Sequence, residues 1–155
     1  HWNEIHKRGF EKVAPVDIMD EFGEFDIPIE RGFHLDRDIV GEHLKNYDSI
    51  LVLSHFKGHI MGGFGGALKN IAIGIGSTHG KALIHSAGVT TDPGDCWNVG
   101  TKQDDFLESM ADACKAVIGF MHETKGPDSM IYISVANRLS VDCDCDAHPP
   151  RTRDG

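Results

Sequence analysis

Residues 49–70 read SILVLSHFKGHIMGGFGGALKN, and this stretch decides the fold. Its apolar start predicts a strand over 49–53, because a strand that helices cover on both faces is apolar throughout. A cationic loop and a glycine-rich turn follow, and an apolar helix is predicted over 65–75. Such a strand–loop–helix order is the repeating unit of α/β domains. It can also place bare backbone N–H groups and positive side chains around an anion.

The flanking sequence continues the alternation of strands and helices. Strands over 13–19 and 130–135 are expected to join strand 49–53 in one sheet, and Pro28 restricts a short strand over 25–30 to a sheet edge. Helices are predicted over 1–12, 36–46 and 101–125, while 77–97 reads as irregular. The last of these helices should pack on the sheet through Phe106, Met110 and Val117. We therefore predict a single α/β domain over residues 1–155, with a mostly parallel sheet flanked by helices.

Composition excludes some classes of partner. The 155 residues carry a formal net charge of −9, whereas proteins that bind nucleic acids are usually basic. No apolar run approaches the roughly 20 residues that span a bilayer, and no signal-peptide pattern is present. The prediction is a cytoplasmic protein without nucleic-acid or membrane partners. Because the chain starts at His1 without Met, we expect a piece of a longer protein that contacts the remainder of its chain or another subunit.

Four cationic residues are the predicted catalytic or binding groups: His55, Lys57, His59 and Lys69. The first three alternate, so in an extended segment they would share one face beyond the end of a strand. Ligands bind at that place in open α/β sheets. Burial of the Lys69 ammonium in an apolar helix without a partner would cost several kcal/mol, so it either reaches solvent or faces a ligand. The other interpretation of the segment is a solvated loop.

The glycine-rich turn offers further ligand-binding groups. Its backbone N–H groups could bind a phosphate or carboxylate, or its glycines could simply allow tight packing of the helix on the sheet. It matches neither a P-loop nor a dinucleotide fingerprint. The predicted ligand-binding residues are Gly62, Gly63, Gly65, Gly66, Asn70, Lys81 and His85. His79, Lys81 and His85 are the weaker candidates, since loops often carry such residues. The predicted function is binding of an anionic small molecule or cofactor; whether the protein is an enzyme stays open.

A second cluster near the end of the chain suggests metal chemistry. Cys143 and Cys145 would share one face of an extended segment, with His148 nearby. Thiolate and imidazole ligands suit zinc or iron. The alternative function is therefore a metal or iron–sulfur redox protein. The other interpretation is a pair of small buried thiols beside solvated carboxylates.

The same segments resemble a known protein family. They are similar to the domain of unknown function 362 family, whose members are often labelled uncharacterised Fe–S centre proteins. The matching segments are 14–20, 55–59, 63–70, 80–81, 85–86 and 137–148. In many members a ferredoxin-like insert with repeated C-x-x-C spacing follows the segment matching 85–86. Residues 90–100 contain one cysteine, Cys96, so we expect no standard ferredoxin-type cluster on this chain. Family members are usually longer, which agrees with a fragment.

Overall fold

The computed structural model describes residues 1–137, 139–140 and 152–153. This part of the chain contains four α-helices, α1 to α4, at Trp2–Arg8, Ala67–Ile75, Thr78–His85 and Gln103–Lys125. Its strands, β1 to β8, are Glu24–Pro28, Arg37–Gly41, Ile50–His55, Lys57–His59, Gly63–Gly65, Met130–Val135, Leu139–Ser140 and Thr152–Arg153. Short 3₁₀ helices cover Phe10–Lys12 and Glu42–Asn46. The fold is mixed α/β, as the sequence predicts.

The strands pair two by two. Strands β3 and β6 are parallel, with Ile50 opposite Met130 and His55 opposite Val135. The pairs β1–β2, β4–β5 and β7–β8 are antiparallel. The predicted placement of the strands near 49–53 and 130–135 in one sheet is therefore confirmed. A mostly parallel sheet gains little support, since one of the four sheets among the described residues is parallel.

The core lies between one face of β3, strand β2 and helices α2, α3 and α4. Val52 and Ser54 alternate with exposed neighbours along β3, so one face of this strand points into the core. The predicted seam of α4 is confirmed, because Phe106, Met110 and Val117 are all buried. Complete burial of the Phe106 ring alone contributes about 2 kcal/mol or more.

The predicted strand over 13–19 is wrong. These residues form turns and irregular backbone, and Val13 is 87% exposed. The carbonyl of Met19 accepts a hydrogen bond from the backbone N–H of His43, at the start of a 3₁₀ helix, and not from a neighbouring strand. An apolar stretch forms a strand only where a neighbouring strand can satisfy its backbone groups.

Two other predicted elements differ from the structure. The helix expected over 36–46 is strand β2 followed by a 3₁₀ helix, because pairing with β1 satisfies the backbone of the β-branched pair Ile39 and Val40. The segment 77–97, expected to be irregular, begins with helix α3. Ser77 caps this helix by accepting a hydrogen bond from the N–H of Gly80 at 3.0 Å.

Candidate functional site

A hairpin, and not the loop expected from the sequence, connects β3 to α2. In this β4–β5 hairpin Lys57 pairs with Gly65 and His59 pairs with Gly63. Gly63 has a φ of +70°, a conformation that glycine adopts without strain. A Cβ atom added to Gly65 would lie 3.6 Å from both Lys57 Cε and Lys69 Cδ. The two lysine side chains therefore converge over Gly65, next to the start of α2.

Helix α2 begins at this convergence point without a side-chain cap. Its N-cap is Gly66, so the first backbone N–H groups of the helix lack the oxygen that a serine or aspartate would supply. The N-terminal end of a helix carries a partial positive charge. Asn70, predicted to bind a ligand, donates from Nδ2 to Ser54 Oγ at 2.8 Å and ties α2 to β3.

A hydrogen bond from the backbone fixes the neutral tautomer of His59. Its Nδ1 lies 2.9 Å from the backbone nitrogen of Gly62. A backbone N–H can only donate, so Nδ1 accepts and the neutral ring carries its hydrogen on Nε2. Burial lowers the pKa of His59, and the charges of Lys69, Lys57 and His85 lower it further.

His85 has the opposite tautomer. Its Nδ1 lies 2.6 Å from the carbonyl oxygen of Lys81, which can only accept, so Nδ1 donates and Nε2 keeps a lone pair. The ring lies 5.1 Å from the ring of Phe106 and 4.7 Å from that of Trp97. Burial lowers the pKa of His85; the bond to Lys81 opposes this, while the charges of Lys69 and Lys81 add to it.

These side chains form a set of five that we call the cationic cluster: Lys57, His59, Lys69, Lys81 and His85. Within the described ranges, every charge that shifts the pKa of His59 or His85 is positive. Lys69 also lines a cavity of about 220 Å³ with Gly62, Phe64 and Leu68. Larger cavities of about 620 and 730 Å³ lie elsewhere, along β1 and α4 and beside α1, and no residue of the cluster lines them.

Other predicted residues lie apart from the cluster. His55 follows Ser54, whose side chain contacts α2, so His55 points to the other face of β3, where its Nε2 donates to the carbonyl of Asn137 at 2.8 Å. His79 is exposed, and its Nδ1 lies 2.8 Å from Glu24 Oε1. Sequence reasoning missed Trp97, because a single tryptophan in an irregular segment carries no periodic signal.

The cysteines divide into two groups. Cys143, Cys145 and His148, the predicted metal ligands, lie outside the described residues, so metal binding by them stays a prediction. Cys96 and Cys114 are buried. Burial, with a smaller effect of the Asp38 charge, raises the pKa of the Cys114 thiol to about 11. Cys114 is therefore a neutral core residue at physiological pH.

A profile of the family described as Domain of unknown function (DUF362) matches residues 2–154. The chain belongs to the DUF362 family. The match confirms the resemblance seen in the sequence and extends over nearly the whole chain. Comparisons with curated proteins and with solved structures gave no match. In the described part of this DUF362 domain no helix is long and apolar enough to cross a membrane.

Proposed function

We propose that this DUF362 domain binds an anionic small molecule or cofactor at the cationic cluster. The observation that carries the proposal is the convergence of the Lys57 and Lys69 side chains over Gly65, beside the uncapped N-terminus of α2. Lys69 lowers the pKa of both histidines, which means that it repels their protonated forms. The lysine charges therefore keep both imidazoles neutral, and a bound anion would balance the lysine charges and favour protonation of the histidines.

The hydrogen-bonding groups of the site suit an oxyanion. The Nε2–H group of His59 and the lysine ammonium groups are donors, and the uncapped N-terminus of α2 adds backbone N–H groups. His85 Nε2 is an acceptor, so it matches a hydroxyl or protonated oxygen of the ligand. A ligand with a phosphate, sulfate or carboxylate group and a neighbouring hydroxyl would use both the donors and the acceptor of the site.

The cavity beside Lys69 limits the size of the ligand. Its volume of about 220 Å³ is below the roughly 300–1,000 Å³ of pockets for drug-sized molecules. Its walls include Phe64 and Leu68, which offer apolar contacts to a short hydrocarbon part. We infer a small ligand with one anionic group.

Replacement of Lys69 by methionine tests the proposal. This change keeps an unbranched side chain that matches the lysine up to Cε and removes the ammonium group. Sulfate binding, followed by NMR shifts of the backbone amides at 62–66, should weaken roughly tenfold or more, because a charged hydrogen bond is worth about 1.5–3 kcal/mol. Stability should stay the same or rise, because Lys69 no longer repels the nearby ammonium group of Lys57.

Lys7→Met is the matched control. Lys7 lies on α1 with its side chain 77% exposed, so this variant should bind sulfate as tightly as the unmodified chain. Equal sulfate affinity of Lys69→Met and Lys7→Met would show that Lys69 does not contact the anion, and the proposal would then be wrong.

A further inference from the structure

We propose that this chain also has a binding site for a divalent metal ion, formed by His34, Asp105 and Glu108. The nitrogen or oxygen that each residue offers lies within 4.8 Å of the other two. His34 Nε2 is 2.8 Å from Glu108 Oε2 and 3.9 Å from Asp105 Oδ1. A metal ion about 2.0–2.2 Å from each ligand atom fits such a triangle after small side-chain movements. None of the three belongs to the cationic cluster or to the predicted cysteine site.

Helix α4 supplies the two carboxylates. Asp105 and Glu108 are three residues apart near its start, so their side chains lie on the same face of the helix. Two carboxylates on one face repel each other, and a divalent cation between them removes this repulsion. The arrangement gives the site two negative charges before His34 is counted.

The loop between β1 and β2 supplies the histidine in a fixed position. Asp112, one turn beyond Glu108 on α4, accepts hydrogen bonds from the backbone N–H groups of His34 at 2.9 Å and Leu35 at 3.1 Å. The Asp112 residue is only 4% exposed. A Cβ atom at Gly32 would lie 3.0 Å from Asp112 Oδ2 and 2.1 Å from the carbonyl oxygen of Leu35, so the loop closes tightly around this anchor. His34 is therefore held against α4 and is not a freely moving surface side chain.

The ligand set indicates the class of metal. One imidazole and two carboxylates suit Mn²⁺, Fe²⁺ or Zn²⁺, whereas thiolates would favour softer ions. Three protein ligands leave coordination positions for water or a substrate oxygen. An isolated histidine–carboxylate pair offers one ligand fewer than this set. The pair formed by His79 and Glu24 has the same 2.8 Å separation, and no third ligand group within the described ranges completes it.

Titration with Mn²⁺ tests the site, because Mn²⁺ prefers oxygen and imidazole ligands to thiolates. The full chain is stripped with a chelator, and free Mn²⁺ is followed by electron paramagnetic resonance. We expect one saturable site per chain. Glu108→Gln and His34→Ala should each weaken Mn²⁺ binding at least tenfold. Circular dichroism and thermal melting check that the variants fold, and Glu108→Gln changes a side chain that is 48% exposed.

Two control variants separate this site from others. His79→Ala removes the matched contact with Glu24 and should leave Mn²⁺ binding unchanged. The double variant Cys143→Ser with Cys145→Ser should also bind normally. Absence of saturable binding, unchanged affinity in folded Glu108→Gln, or loss of binding in either control would overturn the proposal.

Discussion

Replacement of Gly80 by alanine is expected to destabilise the domain by about 3 kcal/mol. Gly80 lies in the first turn of α3, where the helix touches the backbone of β2. A Cβ atom at this position would lie 1.9 Å from the carbonyl oxygen of Ile39 and 2.9 Å from its carbonyl carbon. The same oxygen accepts a hydrogen bond from the N–H of Ser77 at 2.9 Å. Backbone atoms cannot rotate away as a side chain can, so α3 must separate from β2.

Gly119→Ala is the matched control for this prediction. Gly119 lies inside α4, and a Cβ atom there would meet no other atom within 4 Å. Alanine is the better helix former by about 0.8–1.0 kcal/mol, so Gly119→Ala should raise the free energy of unfolding. Urea unfolding of both variants measures the difference. If Gly80→Ala proves as stable as Gly119→Ala, the close contact between α3 and β2 is wrong.

The second large effect concerns Asp38 and pH. Asp38 lies in β2 with no exposed surface. Neither oxygen of its carboxyl has a hydrogen-bond partner at normal geometry among the described residues. Burial raises the pKa of this carboxyl to about 7, and a weak contact with the backbone N–H of Ile39 opposes the rise only slightly. The folded chain therefore holds a proton that the unfolded chain releases near pH 4.

This difference in pKa between the folded and unfolded states determines whether stability rises or falls with pH. Between about pH 4 and pH 7 the folded state binds more protons than the unfolded state, so the free energy of unfolding falls as the pH rises. From pH 5 to pH 8 the loss due to Asp38 should be roughly 2–3 kcal/mol. Asp38→Asn cannot ionise and should remove this part of the pH dependence.

Urea unfolding at pH 5 and pH 8 gives the required comparison. The cost of fitting an amide at position 38 is the same at both pH values, so it cancels in the difference. Other titrating groups are common to both proteins and cancel as well. An equal loss of stability from pH 5 to pH 8 in both proteins would show that Asp38 ionises normally in the folded state.

The elements predicted well from the sequence are those with a strong local pattern. Strands β3 and β6 are apolar runs, and α4 has a long seam of buried residues at helical spacing. The 13–19 and 36–46 segments were predicted wrongly, because partners distant in sequence determine their structure. Pairing with β1 makes 37–41 a strand, and 13–19 has no neighbouring strand to pair with among the described residues.

The residue types of the candidate site could be predicted from the sequence, but their arrangement in space could not. The concentration of lysine, histidine and glycine between β3 and α3 is visible in the sequence. The β4–β5 hairpin is not visible in the sequence. It places Lys57 and His59 apart from His55. The set of His34, Asp105 and Glu108 gives no sequence signal, because the loop and the helix that contribute to it are far apart in the chain.

Measurement of the pKa values of His59 and His85 tests the central claim most directly. NMR titration of the imidazole signals, assigned with His→Gln variants, is carried out with and without sulfate, whose charge is constant over the range. Without sulfate both pKa values should lie below the ordinary value, because burial and nearby cations disfavour the charged forms. Saturating sulfate should raise both pKa values. Ordinary pKa values that sulfate does not change would contradict an anion site at the cationic cluster.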